Sequence, residues 1–363
     1  MRKRLDIPVG EREALTSFLT SLPKTEVHLH IEGLVSVDSI WALIQKHDLD
    51  LGIASKEELE RRFQVTSLTE FIDLFINIVQ ACFRSEDDLD YLIEDARSYL
   101  SRNNIKYAEI FFAPTKLIKN GLDFGRMIQK LDAGARSLAS DEIDVRFLVD
   151  VSRGFGLDNA MHNFELTLEH RTEYVVGVGL GGAEQSGPAR EFKPVFDRAI
   201  EEGLRVVAHA GEDVGPESIW DAIRLLNVHR IGHGISAIKD RQLMDELART
   251  QIPLEICPTS NLFTRRFASS LHDHPIRAFF DHGMYVTVNT DDPTLFGVEL
   301  SSEYLQLLDE QIFDLREIIQ LVRNGIYATF LPQDRKDQLW HGVVEAIRGS
   351  SFAGELAEFA NRA

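Results

Sequence analysis

The sequence predicts an α/β protein in which eight parallel strands and their helices close into a (β/α)8 TIM barrel. Short β-branched runs alternate with longer amphipathic stretches along the chain, and such alternation favours parallel pairing of the strands. Eight strands of this kind favour a closed barrel over an open doubly wound sheet. No G-x-G-x-x-G pattern follows an early strand, which argues against a dinucleotide-binding fold. We expect a single domain over residues 1–363.

The predicted elements follow one another in a regular order. The strand candidates are Glu26–Ile31, Ile105–Phe112, Val145–Val151, Val175–Gly182, Arg205–Glu212, Arg230–Gly234, Pro253–Ser260 and Tyr285–Asn289. Helical patterns lie between them, among them Ser36–His47, Asp87–Arg102, Phe124–Ala139, Glu191–Glu202, Pro216–Leu226 and Lys239–Thr250. We also expect an extra helix before the second strand, over Ser67–Cys82, and further helices after the eighth strand that cover the outside of the barrel.

Composition restricts the ligand and the compartment. A net charge of −19, from 39 basic and 58 acidic residues, argues against a nucleic-acid or acidic membrane surface and favours a small ligand. No run of about 18 apolar residues could span a membrane, and the basic start Met1–Arg4 has no apolar stretch behind it to form a signal peptide. Cys82 and Cys257 are the only cysteines, so we expect a reducing, cytoplasmic location.

Polar residues cluster where the predicted strands end, which is where such barrels carry their active sites. His28 and His30 share one face of the first strand, because side chains alternate along an extended chain. His209 ends the fifth strand, and Glu212 follows it at the rim. His233 ends the sixth strand between two glycines, which could be turn residues or could let a ligand approach the backbone. We therefore expect these side chains to meet at one end of the barrel.

Asp291 and Asp292 follow the eighth strand, and the same alternation predicts that they point in different directions. Singly, the histidines could be hydrogen-bonded core residues and Glu212 a helix cap. Together, His28, His30, His209 and Asp291 predict a nitrogen and oxygen metal site, for which zinc is the best occupant and iron or manganese the alternatives. A metal site surrounded by ionisable groups (Glu212, His233 and Asp292) predicts hydrolytic chemistry, because a bound water reaches a pKa of about 7.

Five motifs resemble those of the adenosine deaminase family of metal-dependent purine deaminases. They are Pro23-Lys-Thr-Glu-Val-His-Leu-His-Ile-Glu-Gly33, His209-Ala-Gly-Glu212, Gly232-His-Gly234, Cys257-Pro-Thr-Ser-Asn261 and Thr290-Asp-Asp-Pro293. The resemblance covers nearly the whole chain, from about Leu22 to the segment that begins at Phe330. The P-C-x-x-C signature of cytidine-type zinc deaminases is absent.

The resemblance implies hydrolytic deamination of a 6-aminopurine nucleoside, by default adenosine to inosine plus ammonia. It implies one zinc ion per chain, bound by His28, His30, His209 and Asp291. Glu212 would protonate the purine N1 and then carry a proton to the leaving ammonia. His233 would position the attacking hydroxide, Asp292 would hydrogen-bond N7, and the backbone of Gly182 would lie near N3.

The sequence gives conflicting signals about the part of the substrate that lies outside the purine ring. Nucleoside deaminases of this family usually carry Asp where Glu32 stands, and adenine deaminases usually carry Glu. The segment Gly179–Glu184 resembles the nucleoside type more. Arg265 and Arg266, which Arg153 could join, could clamp a carboxylate or phosphate, as on aminodeoxyfutalosine with its benzoate. They could also be a solvated basic pair.

An apolar face before the second strand is a candidate for contact with substrate. Leu68, Phe71, Ile72 and Phe75 have helical spacing, and in the family a helix at this place forms an apolar gate, although ordinary core packing gives the same pattern. We predict that His272 and His274 are surface or capping residues and that Cys257 is a buried small hydrophobe.

Two more remote alternatives remain. One is another metal hydrolase on the same barrel. Two-metal barrels often carry a bridging lysine on the fourth strand, and Val175–Gly182 has none. The other alternative is a barrel that only binds a ligand, which we would expect to lack one of the metal ligands or Glu212.

Overall fold

The computed structural model describes residues 9–65, 68–264 and 266–360, and its eight parallel strands pair in chain order. The strands are β1 (Lys24–His30), β2 (Ile105–Phe112), β3 (Asp144–Asp150), β4 (Val175–Leu180), β5 (Arg205–Ala210), β6 (Arg230–His233), β7 (Leu254–Ile256) and β8 (Val286–Val288). Beyond β8, Asp291 pairs with Leu29 of β1, and the His30 amide donates to the Asp291 carbonyl at 2.9 Å. This contact brings the last strand back to the first and confirms the predicted (β/α)8 barrel.

The α-helices surround the strands. They are α1 (Val9–Ser21), α2 (Val37–Lys46), α3 (Lys56–Arg62), α4 (Leu68–Asp73), α5 (Leu89–Arg102), α6 (Thr115–Lys119), α7 (Phe124–Ala139), α8 (Gly156–Glu169), α9 (Lys193–Glu201), α10 (Pro216–Arg224), α11 (Arg241–Thr250), α12 (Pro258–Thr264), α13 (Ile276–Asp281), α14 (Pro293–Phe296), α15 (Leu300–Asp309), α16 (Leu315–Ala328), α17 (Gln333–Arg348) and α18 (Ala357–Ala360). None of the helices in the described ranges has both the length and the hydropathy needed to cross a bilayer.

The strand boundaries differ from the prediction mainly at the carboxyl ends. β7 is much shorter than the predicted Pro253–Ser260, because Pro258 begins α12. Proline suits the first position of a helix, where its missing N–H is not needed. β5 ends at Ala210, so Glu212 lies in the loop that follows the strand. Because these strands end early, the polar residues that follow them lie outside the hydrogen-bonded sheet, at the rim of the barrel.

The extra helix before β2 is present but changes its winding. After α4 the chain continues as a π-helix over Leu74–Val79 and a 3₁₀ turn over Gln80–Cys82, a type of irregularity that is frequent at functional sites. Ser67 lies outside the described residues. At the other end of the chain, α16 packs on β8 and β1, where Asn324 Nδ2 donates to the Val286 carbonyl at 2.9 Å. The predicted C-terminal cover of the barrel is therefore found.

A fully buried ion cluster crosses the barrel below its carboxyl end. Arg230 of β6 forms ion pairs with Glu255 of β7 and with Glu109 of β2, the latter at 2.6 Å. The Arg230 guanidinium also lies 3.8 Å from the centre of the Phe330 ring. Although burial opposes it, Arg230 holds the pKa of Glu255 below its ordinary value. One guanidinium thus compensates two buried carboxylates and links three strands.

Replacing Arg230 by methionine tests this compensation. The substitution keeps an apolar stem but leaves Glu109 and Glu255 buried without their cation, and removing one partner of a buried pair typically costs about 3–5 kcal/mol. We expect the free energy of unfolding, measured by urea denaturation, to fall by about that amount. The control is Arg249→Met, which breaks an exposed pair with Glu246 and should change stability little. An equal effect of the two substitutions would contradict the role assigned to Arg230.

Candidate active site

Three histidines and an aspartate converge at the carboxyl end of the barrel. The Nε2 atoms of His28 and His30 lie 3.4 and 3.3 Å from Asp291 Oδ1, and His30 Nε2 lies 3.3 Å from His209 Nε2. His28 Nε2 is buried and makes no hydrogen bond to any described residue. The structure therefore brings together all four residues that the sequence singled out as metal ligands.

The orientation of the His28 ring is set by Glu255 of β7. Its Nδ1 lies 2.7 Å from Glu255 Oε2, and since Arg230 keeps Glu255 ionised, that carboxylate can only accept. His28 Nδ1 therefore donates to Glu255, and Nε2 faces the cluster, the arrangement typical of metal-binding histidines. Gly232 makes room for this ring, because a Cβ there would lie 2.8 Å from His28 Cε1. The glycine serves the packing of a histidine here and not the approach of a ligand.

Asp291 and Asp292 both face the cavity, so the predicted alternation of these two side chains is wrong. Asp291 has a φ of 69°, which turns the chain after β8 and brings both carboxylates within 4.8 Å of the His30 ring nitrogen. Ser260 Oγ donates to Asp291 Oδ2 at 2.7 Å, which leaves Oδ1 facing the histidines. A Cβ on Gly33 would lie 2.1 Å from Asp292 Oδ1, so only glycine fits beside Asp292.

Glu212 and His233 lie side by side next to this cluster. Glu212 Oε2 is 3.4 Å from His233 Nε2, which in turn is 3.8 Å from Asp291 Oδ2. Burial and the neighbouring Asp291 carboxylate raise the pKa of Glu212 well above its ordinary value. Burial likewise lowers the pKa of His233 to about 3. Burial thus favours the neutral form of both groups.

The loop that carries Glu212 is fixed by a buried carboxylate after β4. Glu184 Oε1 accepts from the amides of Glu212 and Asp213 at 2.7 and 3.1 Å, and Glu184 Oε2 accepts from the Gly211 amide at 2.8 Å. Ser218 also donates to it. The backbone around Glu212 thus has its hydrogen bonds satisfied from one side chain, which leaves the Glu212 carboxyl directed at the cavity.

A cavity of about 330 Å³ joins the polar cluster to an apolar wall. The wall is a row of four phenylalanines whose neighbouring ring centres are 5.8, 5.0 and 4.8 Å apart, in the order Phe75, Phe71, Phe296 and Phe263. Phe71 and Phe75 line the cavity, as the helical pattern suggested, and so does Gly182, which has a φ of 94°. The side chain of Leu68 lies outside the described residues.

Glu32 and Arg266 do not line the cavity. Glu32 is buried and does not line it; its Oε1 accepts from the Ala113 amide at 3.0 Å and from Gln80 Nε2 at 3.4 Å. Arg266 is exposed and is not among the cavity residues, and Arg265 lies outside the described residues. Arg153, which could have joined the arginine pair, has a buried guanidinium that donates to the backbone carbonyls of Gly187, Leu180 and His209.

Asp150 and Lys116 are among the cavity residues that were not anticipated from the sequence. Asp150 ends β3, and its Oδ2 is buried, faces the cavity and makes no hydrogen bond to any described residue. Its signal, an acid closing an apolar run, is the one that identified Asp291. Lys116 of α6 also lines the cavity, is half-buried, and forms no ion pair within the described ranges. No sequence pattern distinguishes it from an ordinary helical lysine.

The remaining predictions concern His272, His274 and Cys257. His272 is exposed, with Nε2 3.2 Å from Glu310, as expected of a surface residue. His274 is buried, and its Nδ1 accepts from the Ile276 amide at 3.1 Å, so it caps the start of α13 from the interior. Cys257 is fully buried, which confirms it as a small core side chain.

The fold and the site together define a barrel hydrolase with a candidate metal centre. Residues 23–346 match the family model described as adenosine deaminase. The aminodeoxyfutalosine deaminase of Streptomyces avermitilis is 36% identical over 89% of this chain and 92% of that protein. The adenine deaminase of Crocosphaera subtropica is 33% identical over 90% of this chain and 99% of that protein.

A solved structure agrees with the sequence relatives. The adenine deaminase of Arthrobacter aurescens superposes with a TM-score of 0.85 at 30% identity, over 91% of this chain and all of that one. The chain therefore belongs to the adenosine deaminase family, and it is a hydrolytic deaminase.

Proposed function

We propose that this deaminase uses one zinc ion per chain to deaminate a 6-aminopurine nucleoside that carries an extended, anionic 5′ substituent. The observation that carries the proposal is the cavity, which reaches from His30, His209 and Asp291 of the candidate metal cluster to the phenylalanine wall and Lys116. Its volume is at the small end of the range for ligand pockets, about 300–1,000 Å³. An unsubstituted purine has no group that would bind to the aromatic wall or to the cation, so both favour a substrate with a further substituent.

The donor set fits zinc. Three imidazole nitrogens and one carboxylate oxygen are ligands of the type that zinc prefers, and the buried Nε2 of His28 has no hydrogen-bond partner among the described residues. The protonation of His28 Nδ1 toward Glu255 supports the ligand role of the opposite nitrogen. When bound, zinc would lower the pKa of water and so supply a nucleophile near neutral pH.

The neighbouring residues handle the protons of the reaction. Burial raises the pKa of Glu212 and so favours the protonated carboxyl that donates to the purine N1. The resulting carboxylate then takes up the proton of the hydroxyl group added at C6 and delivers it to the amino group, which leaves as ammonia. Burial and Asp291 also raise the pKa of Asp292 well above its ordinary value, which favours the protonated carboxyl that a hydrogen bond to N7 requires. His233 orients the nucleophile, and the backbone of Gly182 lies along the N3 edge of the purine.

The far end of the cavity selects the substituent. The names of the Streptomyces relatives specify aminodeoxyfutalosine, a nucleoside with a benzoate. Such a ring suits the wall formed by Phe71, Phe75 and Phe296, and its carboxylate suits Lys116. Adenosine is the unsubstituted member of this class. Adenine is the second candidate, favoured by Glu32 and by the adenine deaminases among the relatives.

The role of Glu212 is tested by Glu212→Gln, which keeps the shape of the side chain but removes its acid. We expect folding and zinc content to be unchanged and kcat for ammonia release to fall by about three orders of magnitude. Glu217→Gln in the same region alters an exposed carboxylate and serves as the matched control. Retention of turnover by the Glu212 variant would refute the proton transfer assigned to this residue.

Zinc dependence is tested by metal analysis and by chelation. We expect about one zinc per chain, loss of ammonia release after dialysis against a chelator, and recovery on adding one equivalent of zinc. His209→Ala should lose the bound zinc, whereas His272→Ala, which changes an exposed histidine, should keep it. Stoichiometric zinc in the His209 variant would contradict the ligand assignment.

Substrate choice is tested by ammonia release from adenine, adenosine, 5′-deoxyadenosine, methylthioadenosine, AMP and aminodeoxyfutalosine. We expect kcat/KM to be highest for the carboxylated nucleoside, because a charge-assisted hydrogen bond to Lys116 adds about 1.5–3 kcal/mol. Lys116→Met should raise KM for that substrate about tenfold or more and leave adenosine unaffected.

Two further variants serve as comparisons for Lys116→Met. Lys106→Met, at the opposite end of β2, is the matched control, and Arg266→Ala tests the arginine alternative. Equal effects of Lys116→Met on the carboxylated nucleoside and on adenosine would exclude the lysine contact. A preference for free adenine would overturn the nucleoside assignment and would favour a role for Glu32.

A further inference from the structure

A chain of buried hydrogen bonds runs from the start of α13 to His233. The Ile276 amide lies 3.1 Å from His274 Nδ1, His274 Nε2 lies 3.2 Å from Asn261 Oδ1, and Asn261 Nδ2 lies 2.9 Å from His233 Nδ1. His233, Asn261 and His274 are 1%, 0% and 4% exposed. Because buried polar groups are rarely left without partners, the direction of each hydrogen bond in this chain constrains the next.

The direction of these hydrogen bonds is fixed at Ile276, the end of the chain that lies away from the active site. A backbone amide can only donate, so His274 Nδ1 must accept and cannot carry a proton. Burial lowers the pKa of His274 to about 4, so near neutral pH its single ring proton resides on Nε2. That N–H therefore donates to Asn261, and it can do so only to the amide oxygen.

The orientation of Asn261 transfers this direction to His233. With its oxygen accepting from His274, the amide presents its NH₂ group to His233 Nδ1. His233 Nδ1 must then accept, and a neutral His233 carries its proton on Nε2. That N–H is directed at Glu212 Oε2, 3.4 Å away. A backbone amide outside the site thus determines which nitrogen of the site histidine holds the proton.

We propose that His274 and Asn261 are positioning residues that fix the tautomer of His233, with its proton on Nε2. In that state His233 acts as a hydrogen-bond donor to the nucleophile and to Glu212, which leaves Glu212 as the group that takes up and delivers protons. The consequence for catalysis depends on the function proposed above, whereas the tautomer itself is a property of the folded chain.

The decisive variant is Asn261→Asp, which has the same shape but presents a carboxylate oxygen to His233 Nδ1. A carboxylate can only accept, so the proton must move to Nδ1. In ¹⁵N-histidine-labelled protein, with His233 assigned from the spectrum of His233→Gln, we expect Nδ1 to change from an unprotonated to a protonated signal. An unprotonated Nδ1 in Asn261→Asp would overturn the proposal.

His274→Asn separates this directional role from helix capping. Asparagine is a good acceptor at a helix start, so the cap on Ile276 is retained, but its side chain is too short to reach Asn261. We expect stability close to that of the parent and a mixture of both His233 tautomers. His272→Asn, in the exposed partner of the same His-x-His pair, is the matched control and should leave the His233 spectrum unchanged. A single, unchanged His233 tautomer in His274→Asn would show that His274 does not fix it.

Kinetics provide a second measurement that separates positioning from general damage. In zinc-loaded protein we expect Asn261→Asp to lower kcat about 100-fold or more, since a histidine held in the wrong tautomer loses most of its contribution, while KM and zinc content change little. Unchanged kcat with an inverted tautomer would overturn the catalytic role of the proton position. Absence of deaminase activity in the parent would refute the proposed function, yet the ¹⁵N spectra would still decide whether His274 and Asn261 fix the tautomer.

Discussion

The rest of the site depends on the burial of Asp291 among three imidazoles. Asp291 is only 6% exposed. Burying an ionised carboxylate there without a compensating charge would cost more free energy than the few kcal/mol by which a folded protein is stable. His28 and His30 lie within 3.4 Å of Asp291 Oδ1, and the Nδ1 atom of His28 donates to Glu255. Nitrogen lone pairs and a carboxylate directed at one point form a donor set suited to a cation.

The same charges that orient the site also stabilise the barrel. Arg230 compensates Glu109 and Glu255, and the second oxygen of Glu255 accepts from His28 Nδ1 at 2.7 Å. An uncompensated buried charge costs more free energy than the ion pair contributes. Removing Arg230 or Glu255 would therefore leave its neighbour in this series buried without a partner. The orientation of a metal-binding candidate is therefore tied to the pairing of β2, β6 and β7.

The sequence predicted the strands and the cluster because an apolar run that ends in a polar residue is a local pattern. It did not predict contacts that depend on backbone turns or on distant packing. Asp291 and Asp292 face the same cavity because φ is positive at Asp291, which no alternation rule anticipates. Arg153 has the charge of a substrate clamp, yet three backbone carbonyls occupy its guanidinium. The local pattern predicts a surface or capping role for His274, and only the fold shows that it is buried against Asn261.

The candidate catalytic groups lie at the strand ends, and the elements between the strands position them. Glu184, after β4, anchors the loop of Glu212. The short helix α12 contributes Ser260 to Asp291, Asn261 to His233, and Phe263 to the apolar wall. Since these three side chains project from one helical turn, a displacement of α12 by a bound substituent would move the aspartate partner and the histidine partner together. Contact at the apolar wall is thereby mechanically coupled to the geometry at the polar end of the cavity.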